Sequence, residues 1–484
     1  MIRMRLLLSG TLVGLAAPLA AQQVRPLSLE DALGLAIPAS ETLELARAAV
    51  SRARGEHVRA AAGRWPEFNA TLGYTRLLKS QFEGFSFGDS VGTGEEGSDQ
   101  LPFGQKNTFN LGLNVSWPLF SGGRVSGQVQ AADASRRRAD MGLTSAQAQV
   151  TLEVVQAYYN AAAADYNVRI GEILLQQADT TLRQTELRRS AGTQPEFDLL
   201  RARVARGNAR TVLIARQVER DVSYLDLRRL LGIPMDQPVT LTTSLVDTAS
   251  AAQVPTLMRI LSTPTDTAIE RRIVVRQAAE AVTAEEGLAR ATKSDRWPQL
   301  VVNSAYGRVG YPGNIDPFAP QYFTNWDVSV GIRFPVFTGG RLRGNRMVAD
   351  AGVQDARLRL RQVTELAQVD TRSALAQLGA AEAAWQASEG TVEQARRAYE
   401  IAQLRYTEGL STQVELLDAR QAQAQAESLR LEAARSLGIA RVRVALLPAL
   451  PVAATVGFTT TGSLPLPAST RQTGTSTTST GTTP

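Results

Sequence analysis

Four short segments of the chain alternate between apolar and polar residues, cleanly in three of them and less regularly in 299–310. This period of two predicts β-strands with two unlike faces. The four predicted strands lie at about 66–78, 107–118, 299–310 and 323–335. An apolar face opposite a polar face over ~9–11 residues is typical of a membrane-barrel strand, and a half-buried antiparallel sheet would give the same alternation.

Long stretches rich in good helix formers follow the second and the fourth of these strands. No proline occurs in 119–194 or in 336–447, and Gly192 and Gly409 interrupt the helical pattern, as turns would. A helix over 124–188 would be about 100 Å long at ~1.5 Å per residue, longer than a compact domain needs. The pattern predicts two antiparallel coiled-coil hairpins, at about 122–231 with a turn at 189–194 and at about 339–447 with a turn at 406–411.

The second half of the chain repeats motifs of the first half at fixed separations. The segment Trp-Pro-Leu-Phe-Ser-Gly-Gly-Arg at 117–124 returns as Phe-Pro-Val-Phe-Thr-Gly-Gly-Arg at 334–341, which is 217 residues later. The same separation relates Gly192 to Gly409, whereas Trp65 and its Trp-Pro counterpart are 232 residues apart. The chain is therefore an internal duplication with a longer strand–strand loop in its first copy.

Composition shifts mark the ends of the two copies. Arg3 and Arg5, followed by a short apolar stretch and small residues, predict a signal peptide and hence export of the protein. The Thr- and Ser-rich C-terminal segment predicts disorder. The expected parts are a signal peptide at 1–21, a first repeat opening with short helices at 22–247, a linker at 248–265, a second repeat opening with a helix at 266–448, and a disordered tail at 449–484.

The residue inventory argues against an enzyme. The chain has no Cys and a single His, His57, which leaves no thiol chemistry, no spare histidine for a catalytic triad and no Cys/His metal cluster. We therefore expect no catalytic residues, no cofactor and no bound metal. A net charge of +6 without a clustered basic face gives no reason to expect nucleic acid as a partner.

Four strands cannot close a membrane barrel by themselves. A barrel needs at least about eight strands, and an open edge would leave backbone groups unpaired in lipid. The strand count therefore predicts an oligomer, in which two copies would supply about eight strands and three copies about twelve.

The order and spacing of these motifs over about 27–448 resemble the TolC family of outer membrane export channels. The resemblance implies an α+β membrane protein, a homotrimer whose 12-stranded barrel contacts outer membrane lipid and continues as a helical tunnel in the periplasm. It implies a passive exit duct of a tripartite efflux or type I secretion system. A periplasmic adaptor and an inner-membrane pump of RND or ABC type would be its partners, and docking would open its periplasmic end.

The resemblance also carries site residues over by position. Glu415 and Asp418, three residues apart on one helical face, match the family's periplasmic constriction, and Asp198 and Tyr406 match its gate contacts. The expected adaptor-docking tips contain Arg188, Gly192, Arg405, Gly409 and Leu410. Ser411 and Phe197 stand where the best-known member has a second gate contact, so the closed state would be held differently here.

A second interpretation is an exported coiled-coil stalk without channel activity. A stalk would explain the helices and the high alanine content. It would not explain four amphipathic strands, or the span of 70 residues that separates Gly122 from Gly192 and Gly339 from Gly409. The sequence does not specify the transported substrate: drugs, metals and secreted proteins are all compatible with it.

Overall fold

The computed structural model describes residues 25–79, 107–245, 259–261, 267–311 and 322–452. The expected signal peptide, most of the expected linker and nearly all of the expected tail lie outside these residues. In chain order the strands and helices are β1 Arg25–Leu27, α1 Leu29–Ala39, α2 Glu41–Ala62, β2 Glu67–Arg76, β3 Asn107–Phe120, α3 Arg124–Ser190, α4 Glu196–Leu231, β4 Val239–Leu241, α5 Ile273–Lys293, β5 Gln299–Gly310, β6 Tyr322–Arg333, α6 Arg341–Thr407 and α7 Gln413–Leu446.

The first helix begins with a reciprocal cap. The Ser28 hydroxyl accepts a hydrogen bond from the Asp31 amide (3.1 Å), and the Ser28 amide donates to the Asp31 carboxylate (3.2 Å). This capping box satisfies two amide groups that the start of a helix leaves free. The hydrogen bonds from Ser28 lower the pKa of Asp31, because they favour its charged form.

The four amphipathic strands form one antiparallel sheet in the order β2-β3-β5-β6. Glu67 pairs with Ser116 in the first hairpin, and Gln299 pairs with Arg333 in the second. These partners differ by the separations that relate the repeated motifs in the sequence. The two hairpins therefore share the same strand register. The pairing of β3 with β5 joins the two repeats.

The apolar face of this sheet is not covered by any of the residues that the structure describes. Leu72, Trp326, Val328 and Ile332 are between 64% and 82% exposed. Large apolar side chains in a continuous exposed band indicate a surface that meets lipid or a partner rather than water.

Two helices of equal length extend from the sheet. Helices α3 and α6 have 67 residues each, which is about 100 Å at ~1.5 Å per residue. Each is preceded by a Gly-Gly pair with positive φ, and Gly123 (+96°) and Gly340 (+89°) are the capping residues. That left-handed backbone explains the glycines of the repeated motif, because side chains with a Cβ rarely adopt it. In the described part of the chain, no helix is both long enough and apolar enough to span a membrane.

The largest core lies midway along the helices, where α1, β1 and β4 pack against α3, α4 and α7. The fully buried Tyr158 donates its hydroxyl hydrogen to the Leu27 carbonyl (3.0 Å) and accepts from the Thr243 amide (3.0 Å). Burial raises the pKa of Tyr158, so the hydroxyl stays protonated and able to donate. The Tyr158 side chain thereby connects α3 to β1 and to the segment that follows β4.

The second repeat has an ionic network near the same level. Arg272, at the start of α5 and 1% exposed, donates to the Asp370 carboxylate of α6 (2.7 Å) and to the Ala367 carbonyl (2.9 Å). Arg443 of α7 donates to the other oxygen of the same carboxylate (3.0 Å). One buried carboxylate therefore joins three helices.

Just below the sheet, α3 and α5 touch backbone to backbone. A Cβ at Gly127 would lie 2.6 Å from the Gly287 carbonyl oxygen and 2.7 Å from the Ala291 nitrogen. Small residues four positions apart on both helices permit this approach, and the contact holds the two repeats together.

Candidate functional site

The far ends of the two long hairpins turn in the same way. Gly192 and Gly409 both have φ of +75°. The next amide in each turn bonds back into the preceding helix, from Thr193 to the Arg188 carbonyl (2.9 Å) and from Leu410 to the Arg405 carbonyl (2.7 Å). This is the usual left-handed helix ending, which requires glycine at the turn.

The helix that follows the second turn carries the two expected constriction residues. Thr412 caps α7 by accepting a hydrogen bond from the Glu415 amide (3.3 Å). Glu415 and Asp418 are both exposed, and neither forms an ion pair with the residues that the structure describes. Leu416 lies on the opposite face, 3% exposed. The helix thus presents two carboxylates without an ion-pair partner to the solvent, and that of Glu415 accepts a hydrogen bond from the Thr412 hydroxyl (3.5 Å).

The two expected gate residues do not bond to each other, and of the two, Tyr406 packs against this helix. Tyr406 is 3% exposed and packs with Leu416 and Tyr399, and its hydroxyl has no hydrogen-bond partner among the described residues. Asp198 instead accepts a hydrogen bond from the Gln194 side chain (3.0 Å).

The expected docking residues differ in their surroundings. Arg188 donates to the Thr407 carbonyl (3.2 Å), and its guanidinium lies 5.2 Å from the centre of the Tyr406 ring. Arg405 is exposed, and its side chain forms no hydrogen bond or ion pair within the described ranges. Both turn glycines and Leu410 are also exposed.

A third charged residue of this region was not predicted from the sequence. Arg420, 7% exposed, donates to the Thr181 hydroxyl (3.0 Å) and lies over the Tyr399 ring, with its guanidinium 5.9 Å from the ring centre. It has no carboxylate partner in the part of the chain described. The signal available for Arg420 was its position two residues after Asp418, which places it on the buried face of α7. Arginine is uncommon at buried positions, so its presence there indicates a specific role.

With the fold and this end of the molecule described, the class of protein is defined. The chain belongs to the outer membrane efflux protein family, whose model matches residues 32–233 and 265–448. The matched segments cover most of the two expected repeats, and the gap between them includes all but the last residue of the expected linker. The family assignment confirms the predicted outer membrane location and export function, and it groups the chain with efflux proteins rather than with enzymes.

Comparisons with individual proteins give related proteins and structures of the same fold. The pyoverdine export outer membrane protein OpmQ of Pseudomonas putida is 26% identical over 419 residues, which span 84% of this chain and 82% of that protein. Two solved channels have the same fold. They are CmeC of Campylobacter jejuni, with a TM-score of 0.72, 17% identity and coverage of 88% and 86%, and VceC of Vibrio cholerae, with a TM-score of 0.68, 20% identity and coverage of 86% and 95%.

Proposed function

We propose that three copies of this chain form the exit duct of a tripartite export system, opened at the hairpin ends by a periplasmic adaptor and supplied by an inner-membrane pump. The observation that carries the proposal is that β2 and β6 are the edge strands of the described sheet, beside an apolar face that the described residues leave exposed. Free backbone groups at such edges must pair within a membrane. The relative's name records pyoverdine export, and pyoverdine is our first candidate cargo.

The number of copies follows from the passage that a duct needs. The interior of an eight-stranded barrel is just filled by its own side chains, whereas larger barrels enclose a channel. Two copies would therefore close a plugged barrel, and three copies would leave an opening for cargo.

The contact between the two repeats of one chain is the template for the contact between copies. A Cβ at Gly122 would lie 2.7 Å from the Cβ of Trp297, so the first Gly-Gly motif packs against the second Trp-Pro motif. The counterpart, Gly339, faces open space, and Trp65 is 72% exposed. We expect Trp65 of a neighbouring copy to pack against Gly339, as Trp297 packs against Gly122 within the chain.

The same template predicts a register between copies. Gly112 of β3 pairs with Gly307 of β5 within the chain. Their counterparts are Ser329 of β6 and Thr75 of β2, so these two residues should pair across the boundary between copies. The chain has no native Cys, so introduced cysteines can report on this pairing alone.

A variant carrying both Ser329→Cys and Thr75→Cys is expected to form covalent trimers on oxidation, seen by non-reducing electrophoresis of outer membranes. The control pairs Ser329→Cys with Thr71→Cys, which lies on the same face but about 13 Å away at ~3.3 Å per residue. Covalent dimers as the end product, or cross-linking by the control pair, would contradict the trimer and its register.

We also propose that Glu415 and Asp418 line the narrow end of the duct. Threefold symmetry would turn each exposed carboxylate into a ring of three negative charges, which favours cations over anions. The capped start of α7 supports this placement, because it holds both carboxylates within the first two turns of the helix after the hairpin end.

The variant with Glu415→Gln and Asp418→Asn is expected to lose about fivefold or more of the cation preference, since a charge at ~4 Å is worth about 1 kcal/mol in water. The measurement is the reversal potential of the purified channel in a planar bilayer under a salt gradient. Glu408→Gln, an exposed acid in the turn itself, is the matched control. An unchanged reversal potential in the double variant would remove both residues from the constriction.

A further inference from the structure

The side chain of Arg188 joins the two hairpin ends of one chain. Arg188, in the last turn of α3, donates to the carbonyl of Thr407, the last residue of α6 (3.2 Å). Its guanidinium also lies over the ring of Tyr406. Carbonyl groups at the end of a helix lack intrahelical partners and carry partial negative charge, so a cation is favoured there. The aromatic face adds a second attraction.

This contact leads directly to the start of α7. Tyr406 is buried and packs against Leu416, which lies between Glu415 and Asp418 in the chain. A displacement of Arg188 would therefore release a ring that supports the helix carrying both carboxylates. Ser411 and Phe197 offer no alternative support, because the Ser411 hydroxyl has no partner among the described residues and Phe197 is 68% exposed.

The duplication shows that the contact of Arg188 with an aromatic ring has no equivalent between neighbouring chains. Arg405 is the counterpart of Arg188, but the counterparts of Tyr406 and Thr407 in the first hairpin are Arg189 and Ser190. A copy of the contact between neighbouring chains would thus bring Arg405 toward Arg189, which pairs with its own Glu196 (3.3 Å). A guanidinium offers no aromatic face, so the cation–π attraction exists only within a chain.

We propose that Arg188 is a positioning residue of the gate, a latch that holds the second hairpin end of each chain against the first and keeps α7 in its narrow arrangement. The inference rests on the proposed duct function. It assigns to Arg188 a role in holding the channel closed, in addition to its place on the expected docking surface.

The test is the current through single purified channels in a planar bilayer, with Arg188→Gln compared with Arg397→Gln. Loss of one charged hydrogen bond and one cation–π contact is expected to raise the open fraction of Arg188→Gln roughly tenfold. Arg397→Gln should behave as the native channel, because this exposed arginine of α6 makes no hydrogen bond or ion pair among the described residues. Arg188→Lys keeps the charge but not the planar stack and should give an intermediate open fraction.

A double variant separates a latch from a general loss of stability. Arg188→Gln combined with Tyr406→Leu should open no more than the more open of the two single variants, because both remove the same contact. Additive effects, equal opening by Arg397→Gln, or a closed Arg188→Gln channel would overturn the latch. A native channel that is fully open without partners would instead overturn the proposed gated duct.

Discussion

Replacement of Asp370 by Ala is expected to lower the free energy of unfolding by about 3–5 kcal/mol, because it leaves a buried charge without its partner. Arg272 is 1% exposed and donates to this carboxylate, and Arg443 donates to its other oxygen. The loss should appear as a lower urea midpoint for the purified protein in detergent.

The matched control breaks an exposed ion pair between the same two helices. Arg357 of α6 and Glu286 of α5 are 2.7 Å apart with exposed side chains, so Glu286→Ala should cost no more than about 1 kcal/mol. Arg272→Met combined with Asp370→Leu should recover much of the lost stability, since removing both charges removes the unpaired cation. A midpoint shift for Asp370→Ala no larger than that of the control would contradict the structural role of the network.

Replacement of Gly127 by Val is expected to prevent accumulation of the channel in the outer membrane. The first added carbon would lie 2.6 Å from the Gly287 carbonyl oxygen, and this backbone atom can move only if α3 and α5 separate. Overpacking of this kind costs ~1–3 kcal/mol or more, and here it acts where the two repeats join. The measurement is the amount of protein in the membrane fraction, with Gly127→Ala as the milder change.

Gly142, on the same helix, is the control for loss of a glycine. A Cβ there would meet only the end of the Gln277 side chain, at 3.6 Å. Gly142→Ala should therefore stabilise the protein by up to ~1 kcal/mol, because alanine favours the helix. An equal loss of protein in the Gly142→Ala and Gly127→Ala variants would contradict the close helix contact as the cause, because Gly142 has no such contact.

Local signals in the sequence were sufficient for the long helices and the four amphipathic strands, although they did not indicate β1. Alternation places side chains on two faces of a strand, and a proline-free run of good helix formers leaves few other conformations. The repeated Gly-Gly pairs marked the sheet-to-helix junctions before their left-handed backbone was known. The equal spacing of the repeats also anticipated two long helices of 67 residues each.

Site residues were predictable only where the repeats or the family resemblance supplied a position. Glu415 and Asp418 could be placed on one face of α7 from their spacing, and the structure leaves both exposed. Their role as a constriction stays a prediction. The hydrogen bond of Arg188 could not be foreseen, because residues near the hairpin turns offer several equally spaced partners.

By itself, the sequence determined the duplication, the amphipathic strands, the helical hairpins and the family, since each depends on residues close together or on motifs in a fixed order. Only the tertiary structure decided which distant residues meet. Arg188 reaches Thr407, Arg272 reaches Asp370, and Gly127 touches Gly287. These contacts depend on how each long helix is rotated about its axis and where it crosses its neighbour. A period of 3.6 residues repeats along the whole helix, and so it does not specify the level at which two helices pack.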